Sequence, residues 1–233
     1  MEFSYSREQQ MVKQMLKDFA ETEIAPISAE IDEKAEYPYE TIAKLGKLGL
    51  MGMPFPPEYG GAGSDYLTYI MAIEEISKVD ASHGVITQTH NALCCWPIFT
   101  YGTEEQKRKY LPDLLSGKHL GAFGLTEPNA GTDAAGTQTK AVLDGDEWVL
   151  NGSKIFISGG GIADVYIIMA MTDKSKGTKG ISAFIVEKGT PGFSRGKKEN
   201  KMGDLSPSRN SKYSLCRFVS LFSYEMWDQD RKI

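Results

Sequence analysis

The sequence predicts an α+β protein in which an all-helical N-terminal domain is followed by an antiparallel β-sheet or barrel domain. Apolar residues recur at three- and four-residue steps through the first half of the chain, which is typical of helices that bury one face. In the second half they form short runs separated by glycine-containing turns, which is typical of strands. The change near residues 117–121 predicts a helical domain over 1–120 and a β domain over 121–203.

The helical half combines apolar stripes with residues that favour helix starts. Pro38 suits a first helical turn, Ser64 or Asp65 can cap a later helix, and Thr103-Glu104-Glu105-Gln106 fits a capping box. The stripes consist of Met11, Val12, Met15, Leu16 and Phe19; Ile42, Leu45 and Leu48; Leu67, Ile70, Met71, Ile73 and Ile76; and Tyr110, Leu111, Leu114 and Leu115. Stripes of this kind predict core packing and carry no functional information by themselves.

Two dipeptides in the second half predict tight β-hairpins. Asp144-Gly145 separates KAVL from EWVL, and Asn151-Gly152 separates EWVL from KIFIS. Both dipeptides are the residue types that two-residue hairpin turns prefer. The segments DVYIIMAM (164–171) and GISAFIVEKG (180–189) predict two further strands.

Composition excludes several classes of function. The formal net charge is −5 with acids and bases interspersed, which argues against binding to nucleic acid. No apolar run approaches the about 18 residues of a membrane span, and the N-terminus shows no targeting signal. Three cysteines without a C-x-x-C pair and three histidines without ligand spacing predict no metal site. We expect a cytoplasmic location, or the mitochondrial matrix if the source is a eukaryote.

The segment TEPNAGTD (126–133) is the first candidate site, because it is longer and chemically richer than a surface turn. Its acids, Glu127 and Asp133, could serve a pocket, but their spacing favours caps of turns and helix starts. The tract Gly159-Gly160-Gly161 exposes backbone beside a strand end, which is equally compatible with a plain loop and with a ligand contact.

Several separate blocks resemble the acyl-CoA dehydrogenases, most closely the short-chain, butyryl-CoA type. The blocks are YGTEEQKRKYLPDLLSGKHLGAFGLTEP (101–128), AFGLTEPNAGTD (122–133), LNGSKIFISGG (150–160) and KGISAFIVEKGTPGF (179–193). The resemblance covers residues 1–203. It implies a helical domain, a middle β domain and a C-terminal four-helix domain, with FAD between the last two. No block of this sequence resembles the C-terminal domain, and we expect that domain to be missing from the chain.

The resemblance also implies which residues hold the cofactor. The segment Phe123-Gly124-Leu125-Thr126 would run under the flavin ring, with backbone groups and the Thr126 hydroxyl bonding the ring edge. Thr132, following Gly131, would contact either the flavin phosphate or the thioester portion of the substrate. Phe156, Ile157 and Ser158 would pack on the flavin and bond to it. The family commonly has tryptophan at Phe156 and threonine at Ser158, so the aromatic face and the hydroxyl are both kept.

The implied reaction is α,β-dehydrogenation of a short-chain acyl-CoA, with electrons passed to an electron-transfer flavoprotein. Ile86 and Thr89, in a helix around residues 85–93, would border the acyl tail. The full-length family is expected to form homo-oligomers. Its catalytic base is a glutamate of the C-terminal domain, so the sequence offers no catalytic residue here. Two alternatives are an acyl-CoA oxidase-type flavoenzyme and an inactive truncated fragment or non-enzymatic remnant.

The tail over residues 204–233 matches nothing in the family pattern. We expect it to be out-of-frame sequence or the result of a premature end. The alternative is a diverged tail that forms a strand at SLCRFVSLF (214–222).

Overall fold

The computed structural model describes residues 4–198 and 211–220 of the chain. The helices are α1 (Arg7–Phe19), α2 (Ala25–Lys34), α3 (Tyr39–Lys47), α4 (Tyr66–Val79), α5 (Ala81–Thr89), α6 (Trp96–Tyr101) and α7 (Glu104–Leu115). Two π-helical turns, Ala20–Ile24 and His90–Cys95, join α1 to α2 and α5 to α6. The strands are β1 (Gly121–Gly124), β2 (Lys140–Asp144), β3 (Glu147–Ile157), β4 (Val165–Met171), β5 (Ile181–Glu187), β6 (Phe193–Lys198) and β7 (Ser211–Ser220).

The helix starts follow the capping residues. Asp65 rather than Ser64 caps α4, because its side chain accepts a hydrogen bond from the Thr68 backbone N–H. Thr103 and Gln106 form the predicted capping box at the start of α7. Pro38 stands immediately before α3, where its missing N–H costs no helical hydrogen bond.

The predicted apolar stripes are wider than the faces that the helices bury. Leu16 and Ile76 are completely buried where α1 packs on α4, whereas Met11 and Ile70 are 58% and 57% exposed. Each helix contacts its neighbours along a narrow strip, so apolar residues at the edge of the stripe face outward. The stripe predictions are therefore wrong for these outer positions, which also include Met15, Leu48 and Leu67.

The first predicted hairpin is confirmed and the second is wrong. Asp144 pairs with Glu147 across the β2–β3 turn, where Gly145 has a φ of 64°. At Asn151-Gly152 the chain instead continues straight through β3. A Cβ on Gly152 would lie 2.4 Å from the Thr139 hydroxyl oxygen, so glycine is needed there for close packing of two chain segments.

The sheet is mixed, which corrects the prediction of an antiparallel domain. Its strand order is β1-β4-β2-β3-β7-β6, with β5 paired to β4. β1 runs parallel to β4, with Gly121 opposite Val165, and β2 also meets β4 in parallel. The long connection from β1 to β4 contains the β2–β3 hairpin, and this crossover returns β4 in the direction of β1. The remaining pairs are antiparallel.

One buried cluster joins the helical part to the sheet. Cys94, Leu114 and Leu115 pack there with Val165 and Ile167, and all five are at most 3% exposed. Cys94 and Cys95 are buried free thiols. No helix in the described part of the chain is long and apolar enough to cross a membrane, and no group of metal-ligating side chains occurs among the described residues.

The predicted tail lies mostly outside the described residues. Its described part is β7, which pairs with β3 and β6 and overlaps the strand predicted at 214–222. Residues 204–210 and 221–233 are not described by the structure, so the hypothesis of an out-of-frame tail stays a prediction.

Candidate functional site

The structure brings the two predicted cofactor segments side by side. The Ile155 backbone N–H donates a 2.8 Å hydrogen bond to the Thr126 carbonyl, which ties the end of β3 to the chain leaving β1. Residues 123–126 and 156–158 therefore lie on neighbouring segments, and we call the place where these segments meet the sheet edge. Leu125 and Thr126 are half-buried. Their backbone groups and the Thr126 hydroxyl are therefore partly accessible at this edge.

A buried ion pair fixes this juxtaposition. Lys154 Nζ lies 2.7 Å from Glu127 Oε1 and donates to the Leu125 carbonyl at 2.9 Å, and its side chain is completely buried. Glu127 also accepts the backbone N–H groups of Gln138 and Thr139 at 2.7 and 2.9 Å. We call this arrangement the Glu127–Lys154 clamp. It closes the loop over residues 126–139 onto β3.

The electrostatics of the clamp follow from these contacts. Burial by itself raises the pKa of the Glu127 carboxyl, but hydrogen bonds from Lys154 and the two backbone amides outweigh it and leave this pKa lowered. Burial lowers the pKa of the Lys154 ammonium, and the neighbouring carboxylate opposes that effect. Glu127 is a carboxylate committed to holding the loop, which leaves it poorly suited to abstract a proton. Sequence reasoning missed Lys154, because a single lysine within a strand carries no recognisable pattern.

Phe156 has the most unusual backbone of the candidate site. Its φ is +57°, and the register between β3 and β7 shifts between Lys154 and Ile157. A bulge of this kind turns a side chain away from its normal face, and Phe156 is 51% exposed. Left-handed backbone is rare for a bulky residue and is concentrated at functional positions. The arrangement presents one aromatic face at the sheet edge.

The neighbouring residues divide into core and surface. The Ile157 side chain is 1% exposed within the β core, so its backbone is the part placed near the edge. Ser158 is half-buried. The Gly159–Gly161 tract forms a hydrogen-bonded turn, with the Ala163 N–H donating to the Gly159 carbonyl and the Tyr166 hydroxyl to the Gly160 carbonyl. The glycine tract is therefore explained as a structured turn and needs no ligand contact to account for it.

Gly124 and Gly131, the two glycines predicted to contact the cofactor, have different surroundings. A Cβ on Gly124 would lie 2.6 Å from Ile168 Cδ1, so the end of the buried Ile168 side chain would have to move to admit a larger residue. At Gly131 a Cβ would meet open space within 4 Å. Gly131 and Thr132 are exposed in the loop, as is Asp133. The structure thus places Thr132 at the surface of the loop.

The predicted acyl-tail residues are well packed. Ile86 is 5% exposed within the helical core. The Thr89 hydroxyl donates to the Val85 carbonyl at 2.8 Å. Helix α5 ends at Thr89 and continues as the π-helical turn, rather than running unbroken over residues 85–93.

A groove beside the last residues of the clamped loop escaped sequence reasoning. Its volume is about 790 Å³, and it is formed by the chain around residues 135–142 and 171–177. Lys140 and Lys174 give it positive charge, while Thr137, Gln138 and Thr172 add hydrogen-bonding groups. None of the predicted flavin residues lines it, yet the clamped loop borders both places. Val142 and Met171 give the groove an apolar part as well. Two lysines beside apolar walls suit a ligand that carries both phosphate and apolar groups.

The fit to a flat cofactor rests on the sheet edge. A flat ring system needs an aromatic or apolar face and hydrogen-bonding groups along one side. Phe156 supplies the exposed ring, and the half-buried residues Thr126 and Ser158 supply hydroxyls on the two adjoining segments. The residues present therefore fit an isoalloxazine ring.

Comparison with known sequences identifies both parts of the chain. The profile of the acyl-CoA dehydrogenase N-terminal domain matches residues 6–118, and that of the middle domain matches residues 122–210. The short-chain specific acyl-CoA dehydrogenase of Clostridium acetobutylicum is 59% identical over 203 residues, which are 87% of this chain and 54% of that protein. The chain spans about half the length of the curated relatives it matches.

Solved structures agree with this assignment. Butyryl-CoA dehydrogenase from Megasphaera elsdenii is 48% identical with a TM-score of 0.89, covering 94% of this chain and 58% of that one. A chain in the structure described as the electron transferring flavoprotein of Acidaminococcus fermentans is also 48% identical, with a TM-score of 0.90 and coverage of 97% and 60%. An acyl-CoA dehydrogenase from Bacillus anthracis, complexed with FAD, is 35% identical with a TM-score of 0.85 and coverage of 93% and 37%. This chain belongs to the acyl-CoA dehydrogenase family.

Proposed function

We propose that this chain supplies the helical and middle β domains, over residues 1–120 and 121–203, of an FAD-dependent dehydrogenase acting on short-chain acyl-CoA thioesters. Family membership supports the reaction class. The similarity to the short-chain specific enzyme of Clostridium acetobutylicum supports the substrate class, and the FAD complex of the Bacillus anthracis relative supports the cofactor. Bound FAD would supply the hydride acceptor that the side chains of a protein lack.

The observation that carries the proposal is the meeting of residues 123–126 with residues 156–158 at one sheet edge. There the Thr126 and Ser158 hydroxyls would bond the flavin edge, while Phe156 would cover one face of the ring. The Glu127–Lys154 clamp would hold this arrangement before the cofactor arrives. Preorganised groups cost little further ordering when a ligand binds.

Substrate recognition would use the groove beside the last residues of the same loop. Lys140 and Lys174 would attract the phosphates of coenzyme A into the basic groove. Thr132, exposed in the same loop, would contact either the flavin phosphate or the thioester. We assign no catalytic base to this chain, and Glu127 is committed to the clamp. Electron-transfer flavoprotein as the acceptor and assembly into a homo-oligomer complete the proposal.

Flavin retention tests the proposal directly. Purified chain is incubated with excess FAD and desalted, and its visible spectrum is recorded. We expect retained yellow colour in the wild type and weaker retention in the variant Ser158→Ala, while Ser175→Ala, remote in sequence and on an exposed turn, behaves as wild type. A colourless wild-type protein would contradict the idea that residues 123–158 form a competent half-site.

Loaded protein then separates dehydrogenase from oxidase chemistry. We expect butyryl-CoA to bleach the bound flavin without oxygen, and the colour to return only slowly in air. Rapid recovery in air would favour the oxidase alternative.

A further inference from the structure

The buried ammonium of Lys154 has a second partner besides Glu127, and this partner lies in the predicted cofactor segment. Lys154 Nζ donates a 2.9 Å hydrogen bond to the backbone carbonyl of Leu125. The Lys154 side chain is completely buried, so solvent does not screen this bond. The loop over residues 126–139 is held by Glu127, whereas the bond to Leu125 acts on the chain just before the loop.

The planarity of the peptide group makes this contact directional. In a trans peptide bond, the carbonyl oxygen and the following N–H point to opposite sides of one plane. The bond between Leu125 and Thr126 is trans, and its oxygen points at the buried Lys154 Nζ. The Thr126 N–H therefore points away from the ammonium. It donates to no other group among the described residues, while the Thr126 carbonyl accepts from the Ile155 N–H.

A cation on the carbonyl oxygen also strengthens the N–H of the same peptide group as a donor. Hydrogen bonds in a chain polarise one another, by about 10–30% per bond, and more effectively where the local dielectric constant is low. A bond from an ammonium is roughly twice as strong as one between neutral groups. The contact of Lys154 with the Leu125 carbonyl therefore makes the Thr126 N–H a better donor than an ordinary backbone amide.

An unpaired and polarised donor suits an acceptor on a bound ligand. Thr126 is half-buried at the sheet edge, where its residue is partly accessible. The edge of an isoalloxazine ring carries carbonyl oxygens and ring nitrogens, which are acceptors, and the electronics of the ring respond to hydrogen bonds at these atoms. Donors that are fixed in advance cost little further ordering when a ligand binds.

We propose that Lys154 is a positioning residue for the flavin, which directs the Thr126 N–H away from the core and strengthens it as a donor to the ring edge. The inference rests on the flavin site proposed above, because Lys154 acts on the cofactor only through the peptide group of Leu125 and Thr126. It goes beyond the clamp, since a lysine that only held the loop would leave this peptide group unpolarised. The two roles therefore differ in a property that can be measured.

Selective NMR labelling reports the state of this one peptide group. The full chain is labelled with ¹³C at leucine carbonyls and ¹⁵N at threonine. The pair Leu-Thr occurs only at 67–68 and 125–126, so a correlation of carbonyl with the following amide shows two signals. The Thr68 N–H is bonded to Asp65 within α4, which makes the 67–68 signal an internal reference. Thr68→Ser removes that signal and thereby assigns both.

The test variant combines Glu127→Gln with Lys154→Met. It removes the ammonium, leaves no charge buried alone, and keeps an oxygen at position 127 for the loop amides. We expect the 125–126 carbonyl and amide signals to move upfield, because the deshielding hydrogen bond is lost, while the 67–68 signal stays. Lys188→Met, which removes an exposed lysine paired with Asp164, is the matched control and should move neither signal.

FAD is then titrated into the same samples, with thermal unfolding showing that each variant is folded. We expect FAD to shift the 125–126 signal of the wild type, and the double variant to bind FAD about tenfold more weakly. Lys188→Met should bind as the wild type does.

Three outcomes would overturn the inference. Bound FAD that leaves the wild-type 125–126 signal in place would do so, and this measurement decides the matter even for a double variant that fails to fold. An unchanged 125–126 signal and unchanged FAD affinity in a folded double variant would do so as well. Both results would leave the proposed dehydrogenase function intact. A wild type that binds no FAD would instead contradict the proposed flavin site, and the inference with it.

Discussion

At the scale of single residues, Phe156 and the Glu127–Lys154 clamp show how the sheet edge is prepared. Phe156 accepts a left-handed backbone and half-exposure, neither of which favours a phenylalanine. The clamp places two charged groups in the interior. Their desolvation is offset by hydrogen bonds between the two side chains and to backbone groups. Both features organise one edge of the sheet.

Replacing Phe156 by glycine separates ligand binding from stability. We expect Phe156→Gly to change the free energy of unfolding by less than about 1 kcal/mol, because relief of the left-handed conformation offsets the lost packing. FAD retention should nevertheless fall. Phe184→Ala, at a completely buried position, should cost about 3–5 kcal/mol. Urea unfolding measures both variants, and an equal loss in both would show that Phe156 is an ordinary core residue.

Breaking the clamp should be costly, since it leaves one charge buried alone. We expect Lys154→Met to lower the free energy of unfolding by about 3–5 kcal/mol, and the double variant Glu127→Gln with Lys154→Met to recover part of this loss. The exposed pair of Lys188 with Asp164 provides the control, and Lys188→Met should cost at most about 1 kcal/mol. Equal losses for the two lysines, measured by urea unfolding, would refute the structural role of the clamp.

At the scale of elements, His90 connects the helices to the first strand. It stands at the start of the π-helical turn, and its Nδ1 accepts a 3.0 Å hydrogen bond from the Gly121 N–H. Its Nε2 lies 3.0 Å from the Leu114 carbonyl, so this nitrogen carries the proton and donates. The neutral ring therefore joins the end of α7 to the start of β1, just before the predicted cofactor segment.

The pH dependence of stability should report this connection. Burial lowers the pKa of His90 from 6.5 to about 4, so below pH 6.5 the unfolded chain takes up a proton that the folded chain refuses. The stabilising contribution is complete above pH 6.5 and falls by about 3 kcal/mol as the pH drops towards 4. His90→Gln should lose this part of the profile, while His119→Gln, at a half-buried histidine, should keep it. Parallel profiles for wild type and His90→Gln would exclude the mechanism.

At the scale of the whole molecule, the helical part and the sheet share one interior. The cluster of Cys94, Leu114 and Leu115 with Val165 and Ile167 lies across the proposed boundary near residue 120. Apolar surface buried between two parts couples their unfolding. The parts are separate in secondary structure and yet depend on each other for their core.

Cooperative unfolding should follow from this shared core. We expect helix content, followed by circular dichroism, and tryptophan fluorescence to report one coincident thermal transition. Leu114→Ala should shift both signals together and cost about 2–5 kcal/mol, because Leu114 is completely buried. Leu67→Ala, at a half-exposed position in α4, should shift them little. Two resolved transitions would show instead that the parts fold independently.

Helix caps and tight turns could be predicted from the sequence alone. Helix starts at Asp65 and Thr103 and the turn at Asp144-Gly145 depend on hydrogen bonds and φ preferences within a few residues. The family blocks also predicted which segments hold the cofactor, because each block is contiguous in the chain.

Features formed by residues far apart in the chain could be seen only in the tertiary structure. The parallel pairing of β1 with β4 and the passage of β3 through Asn151-Gly152 are set by contacts between distant segments. The pairing of Lys154 with Glu127 joins residues 27 positions apart, and its bond to the Leu125 carbonyl joins residues 29 positions apart. Periodicity records which residues prefer burial, whereas packing in three dimensions decides which of them meet.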